Sequence, residues 1–362
     1  FIIILLALIT LYQYLIGIGI PQGGVIILFI QVFIFYQILM LSKTTALQNF
    51  TNVIVTVYFV QIIYLYFELI LRANGYEFIF LELFDKQHPF MKGFKDYNTA
   101  PKILTEIIGI RGLNSSMLGS QIASIFTLVS TILFLMLKQT YKDKKLFYNF
   151  LFFASLILYL LSMTQTSNVI IIIIIIFSLI LRFKILFFKR NFFYTMLGLA
   201  AVFYIAISNG ISFKQIIFFK TYTSEDFEIY LNLFLNPLNE YLDLTIHEIL
   251  FGIGRAQWIY DASTDLGFFA ILFRVGIIFF IIINLSLIIF IYDKYKYYKF
   301  LNKVNLEQSF FCLFNILAVI IYFFSLIHYT NVIELGAREL FAFHIASLLS
   351  LNSKKNHSIN NR

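Results

Sequence analysis

The sequence predicts an all-α polytopic integral membrane protein, and three observations carry that reading. Hydrophobic residues make up 60% of the 362-residue chain and charged residues 13%, against about 45–50% and about 25% in ordinary soluble domains. Long apolar runs recur, as in NVIIIIIIIFSLIL over residues 168–181, and a helix crossing the hydrocarbon layer needs about 20 mainly apolar residues. Lysines and arginines gather between these runs rather than inside them.

About ten spanning helices follow in order, over roughly 1–19, 25–41, 52–71, 116–137, 146–163, 168–182, 191–207, 265–292, 309–328 and 338–352, the sixth and the tenth being short. Pro21, Pro89, Pro101 and Pro237 all fall outside them, as the missing N–H of proline requires. The opening FIIILLALIT carries neither a charged leader nor a small-residue cleavage site, so we expect the natural protein to begin one or two helices earlier. Cys312 is the lone cysteine. It can form no disulfide within the chain and is expected simply to pack.

With the N-terminus inside, one side collects Lys43; Lys138, Lys142, Lys144 and Lys145; Arg182, Lys184, Lys189 and Arg190; Lys294, Lys296, Lys299 and Lys303; and Lys354, Lys355 and Arg362. Asp143, Asp293 and Glu307 are the acids on that side. The positive-inside rule makes it cytoplasmic, with both ends of the chain there. The net charge of +8 is then explained by lysines that retain loops, and no nucleic-acid partner is needed. A single transmembrane domain over 1–362 would carry two large extracytoplasmic loops, about 72–115 and 208–264, and a basic cytoplasmic tail, about 353–362. Long loops that are ordered usually carry function, so the outer face is the expected working face.

The candidate residues cluster on that face. Counting about 20 residues back from Asp293 along a straight helix puts Arg274 at the outer edge of the hydrocarbon, with the preceding turns projecting further out. There it either snorkels to headgroups or grips a lipid phosphate. Arg255 stands in FGIGRA, where Gly252 and Gly254 allow a tight turn or a close backbone approach to a ligand; its guanidinium either hydrates or binds phosphate oxygens in pairs. Asp265 is an N-cap or a carboxylate able to take a proton from a sugar hydroxyl. Arg111, in IIGIRGLNSSMLGSQ, mirrors Arg255 on the other large loop. His247, beside Glu248, is a second candidate base or a surface residue. Weaker candidates are His328, Arg338 with its potential partners Glu334 and Glu339, and Glu68; His344 reads as a packed polar residue. The sequence contains no HExxH, no clustered histidines and no P-loop. No metal or cofactor is therefore expected, and the energy for chemistry must arrive with the substrate.

HEILFGIGRAQW followed by STDLGFFAILFRVGIIFF resembles the C-terminal signature of the O-antigen polymerase and ligase superfamily. Thr264, Asp265, Gly267 and Gly276 match its Ser/Thr-Asp-x-Gly variant. IRGLNSSMLGSQIAS resembles an upstream family stretch, and SMTQTSNVIII resembles another, with Asn168 near the place of the usual arginine. The resemblance implies a membrane-embedded, C-type inverting glycosyltransferase in the bacterial cytoplasmic membrane. Its donor would be a glycan on undecaprenyl diphosphate and its acceptor another lipid-linked repeat unit of O-antigen or capsule. A flippase and a chain-length regulator are the protein partners it implies. In that chemistry Arg111, Arg255 and Arg274 would stabilise the leaving diphosphate, Asp265 would act as base with His247 second, and Trp258, Tyr260 and Tyr222 would stack on sugars or form an aromatic belt. Two other readings stay open: a ligase that transfers finished glycan, and a flippase or transporter of the lipid-linked unit.

Overall fold

The computed structural model describes residues 23–41, 46–73, 120–162, 170–171, 174, 235–253, 267–325 and 337–359. Among these, all regular secondary structure is helical. The helices are α1 (Gly23–Leu41), α2 (Ala46–Ala73), α3 (Ser120–Thr140), α4 (Lys145–Ser162), α5 (Ile246–Phe251), α6 (Gly267–Val304), α7 (Leu306–Phe324) and α8 (Ala337–Ile359), with a further helical stretch over 235–242. Three segments among the described residues are long and apolar enough to cross a membrane: Ala123–Thr140, Ile271–Val304 and Leu306–Phe324. Shorter apolar segments, Ile27–Met40, Val53–Phe67 and Lys145–Tyr159, lie in α1, α2 and α4. The chain thus has the make-up of an α-helical membrane protein. The helices expected over 1–19 and 191–207, and most of 168–182, lie outside the described residues.

The structure alters four expectations. The helix expected over 265–292 is not straight: α6 breaks at Gly276, whose backbone has φ 72° and ψ 168°. The basic stretch DKYKYYKFLNK is not a loop. Its alternation of Lys with aromatic residues contains no breaker, and α6 continues through it to Val304. Asn305 alone joins α6 to α7 and caps the latter, its side-chain oxygen accepting from the Gln308 N–H at 3.0 Å. The last helix is not short, since α8 extends to Ile359. Part of the loop expected over 208–264 is helical, and Pro237 falls in the first turn of the 235–242 stretch, where its absent N–H is not missed.

The chain forms two compact units. One comprises Phe1–Phe59, Val129–Phe153 and Glu228–Arg362, and the other Val60–Leu128 and Ala154–Phe227. In the second, Ile62, Leu65, Phe126 and Leu158 are buried, and the Tyr66 hydroxyl donates to the Ala154 carbonyl at 2.9 Å, joining α2 to α4. In the first, α1 packs on α8, α8 on α7 and α7 on α6. Phe35 meets Phe343 edge-on at 5.5 Å, and Gln31 Nε2 donates to Glu339 at 2.9 Å. Arg338 pairs with the same carboxylate at 2.7 Å.

A polar cluster sits inside this apolar packing. His344 is fully buried; one ring nitrogen lies 2.8 Å from Asn315 Oδ1 and the other 3.0 Å from the Tyr58 hydroxyl, which stands 3.4 Å from that of Tyr322. In an environment without water each polar group must find a protein partner, and here α2, α7 and α8 supply them to one another. Cys312 is buried, as expected. The Ile27, Ile30, Phe33, Ile34 and Ile38 side chains of α1 are exposed, as apolar residues facing lipid would be.

Candidate functional site

The break in α6 builds the site. Phe268 and Phe280 have ring centroids 6.1 Å apart, although twelve residues of straight helix would separate them by about 18 Å. The first turns of α6 therefore fold back beside the second part rather than standing on top of it. This corrects the expectation that the turns before Arg274 project further outward along a straight helix. Arg274 lies two residues before Gly276 and is half-buried.

Gly276 breaks the helix because its backbone occupies a region essentially closed to other residues, and Gly252, with φ 78° and ψ 166°, occupies the same one. The two glycines abut. A Cβ on Gly252 would stand 2.5 Å from the Arg274 carbonyl oxygen and 2.6 Å from the Gly276 nitrogen. A Cβ on Gly276 would collide with the Gly252 nitrogen and the Leu250 carbonyl. Of the two uses open to Gly252, a tight turn or a close backbone approach to a ligand, the structure shows a tight backbone approach, made to α6 itself.

A helix break strands backbone groups, which must be satisfied elsewhere. The Phe273 carbonyl accepts from the Ile253 N–H at 2.8 Å. The Ile277 N–H is directed to the Tyr241 oxygen, while the Tyr241 hydroxyl donates to the Ile249 carbonyl at 2.6 Å. Burial pushes the Tyr241 phenol above its ordinary pKa, and the Ile277 N–H partly offsets the rise. Tyr241, Ile253 and Phe273 form a small apolar core with Leu244, Ile249, Phe269 and Leu272 around it, and Tyr241 meets Phe273 edge-on at 5.3 Å. Sequence reasoning missed Tyr241 altogether. A tyrosine in a chain with 23 of them carries no signal of its own.

The short helix held by this crossing is α5. Thr245 and Glu248 form a capping box: the Glu248 carboxylate accepts from the Thr245 N–H at 2.9 Å and from its hydroxyl at 2.7 Å. Glu248 is thereby committed to α5. His247, exposed on α5, has its ring 5.5 Å from that of Phe251. The backbone crossing thus brings together Gly252 and Arg274, and with Gly252 the helix bearing His247. Arg111, Gly254, Arg255 and Asp265 lie outside the described residues, as do Tyr222, Trp258, Tyr260 and His328 and the side chain of Glu68. Among the described residues no grouping of His, Cys, Asp or Glu suits a metal ion. The pair anticipated for Arg338 is made with Glu339.

Chemically, the described part offers a half-buried arginine two residues before the bend and an exposed imidazole on the helix clasped to it. A guanidinium can pair with anionic oxygens, and an imidazole can carry a proton. No family model, no curated protein and no solved structure matches this chain.

Proposed function

We propose that the protein is a polysaccharide polymerase that joins undecaprenyl-diphosphate-linked oligosaccharide repeat units on the outer face of the bacterial cytoplasmic membrane. The observation that carries this reading is the contact of Gly252 with Gly276. These glycines belong to the two sequence blocks, HEILFG and STDLGFFAILFRVG, that resemble the polymerase and ligase superfamily, and their contact gives a physical reason for both blocks to occur together. On this reading about ten spans form a C-type glycosyltransferase-like fold with both chain ends cytoplasmic and two large outer loops. An acceptor hydroxyl attacks the anomeric carbon of the donor, its proton passes to Asp265 or His247, and undecaprenyl diphosphate leaves with inversion. Arg274, with Arg111 and Arg255, offsets the charge that develops on the departing diphosphate. Arg255 is two residues in sequence from Ile253, and Asp265 two from Gly267, the first residue of α6.

One observation favours the transporter reading: a broken helix is common where transporters bind their substrate at the midplane. The position of the break weighs against it. About 28 residues of α6 follow Gly276, about 42 Å of helix, enough to cross the hydrocarbon unaided. Deleting the gene and analysing surface and lipid-linked glycans separates the readings. Surface glycan limited to one repeat unit is the expected result. Long glycan stranded on undecaprenyl diphosphate would indicate a ligase, and repeat units trapped on the cytoplasmic face would indicate a flippase.

A further inference from the structure

The last turns of α6 carry a surface that glycosyl transfer does not use. Ile278, Ile281, Leu285, Ile288 and Ile289 are exposed along one side of α6, and the same side continues through Tyr292, Lys296, Lys299, Phe300, Lys303 and Val304. At 100° per residue these positions share about half of the helix circumference. The stripe passes from purely apolar to lysines interleaved with aromatic and apolar groups. Lys296 Nζ lies over the Tyr292 ring at 4.4 Å, and Lys299 Nζ over the Tyr295 ring at 4.6 Å, which holds both ammonium groups close to the helix instead of letting them extend into water. Asp293 is exposed within the stripe, between the directions of Phe300 and Val304, so that the three lysines outweigh one carboxylate there; Glu307, across the turn, accepts from the Tyr141 hydroxyl.

Length is what makes this stripe unusual. From Tyr292 to Val304 it runs about 18 Å along the helix, whereas the headgroup layer on one side of a bilayer is only about 5–8 Å thick. Phe300 is 45% and Val304 69% exposed, so an upright helix would leave both in water beyond the bulk headgroups. A ligand that is apolar along one part and anionic at the other would cover the whole stripe. We propose that this stripe is a binding site for an anionic glycerophospholipid, with its phosphate among Lys296, Lys299 and Lys303 and an acyl chain along Ile281, Leu285, Ile288 and Ile289. A protein partner would need the same charge, but the unbroken continuation into the apolar row of a candidate membrane span favours a lipid. The proposal is independent of the polymerase reading.

The test uses the purified full-length chain, stripped of lipid and titrated with phosphatidylglycerol or with phosphatidylcholine of the same acyl chains, bound lipid being counted by native mass spectrometry. The wild-type chain is expected to hold phosphatidylglycerol in preference. The triple variant K296Q/K299Q/K303Q is expected to bind it more weakly by about fivefold per lysine removed, with phosphatidylcholine unaffected. K142Q/K144Q/K145Q, which removes the same charge from the α3–α4 turn, is expected to keep the preference. Equal binding of the two lipids by the wild-type chain, or equal loss in both triple variants, would overturn the proposal. If K296Q/K299Q/K303Q does not fold, the salt dependence of the wild-type chain decides: screening by salt is expected to release phosphatidylglycerol selectively, and a salt-independent preference would overturn the assignment.

Discussion

Two glycines and one tyrosine do most to define the bend in α6. Replacing Gly276 with alanine adds about 1–3 kcal/mol of backbone strain and drives a methyl group into Leu250 and Gly252. Gly276→Ala is therefore expected to lower the thermal unfolding temperature in detergent, and Gly252→Ala to do the same. Because both act on one contact, the double variant is expected to lose less than the sum of the two; strict additivity would mean that the glycines do not share a contact. Tyr241→Phe removes a donor from the Ile249 carbonyl and an acceptor from the Ile277 N–H. Each buried group left unpaired costs about 1–3 kcal/mol, and hydrogen exchange at the Ile277 amide is expected to speed up while that of α7 stays slow. His344→Leu deprives Asn315 and Tyr58 of partners. Polar pairs between membrane helices average only about 0.6 kcal/mol, so this change is expected to cost less stability than either glycine variant and to leave glycan length unaltered. Unchanged melting in Gly276→Ala would show that the crossing does not hold the fold.

At the scale of elements, the apolar helices were legible and the joints between them were not. Composition alone places α1, α2, α3, α4 and α7 close to their observed bounds, because runs of Ile, Leu and Phe have no other way to satisfy their backbone in lipid. The break at Gly276 was not legible: a glycine in an apolar run is tolerated in many helices, and what makes this one turn is contact with Gly252, 24 positions earlier in sequence. The helix α5 does carry a local signal, the spacing of Thr245 and Glu248 that marks a capping box. Thr245→Ala is expected to cost about 1 kcal/mol, seen as faster exchange within α5 alone. The continuation of α6 past Asp293 was hidden because basic residues mark a membrane boundary without marking a helix end. Of the candidate site, the residue types were readable, and Arg338 did find an acidic neighbour. The clasp that joins α5 to Arg274 depends on backbone geometry, which no side-chain pattern announces.

For the whole molecule, the apolar composition and the candidate spans among the described residues are those of an α-helical membrane protein. The proposed chemistry needs that setting, since a diphosphate leaving group is stabilised far more by a fixed guanidinium in a water-poor site than in water. The most direct measurement is the length distribution of surface glycan in a strain lacking the gene and supplied with either the wild-type chain or Arg274→Ala at equal membrane abundance and equal melting temperature. The wild-type chain is expected to restore long glycan. Arg274→Ala is expected to slow chain growth by about 10²–10³-fold and leave single repeat units, with Arg274→Lys between the two because lysine keeps the charge but not the paired donors. Long glycan made at the wild-type rate by Arg274→Ala would contradict the account.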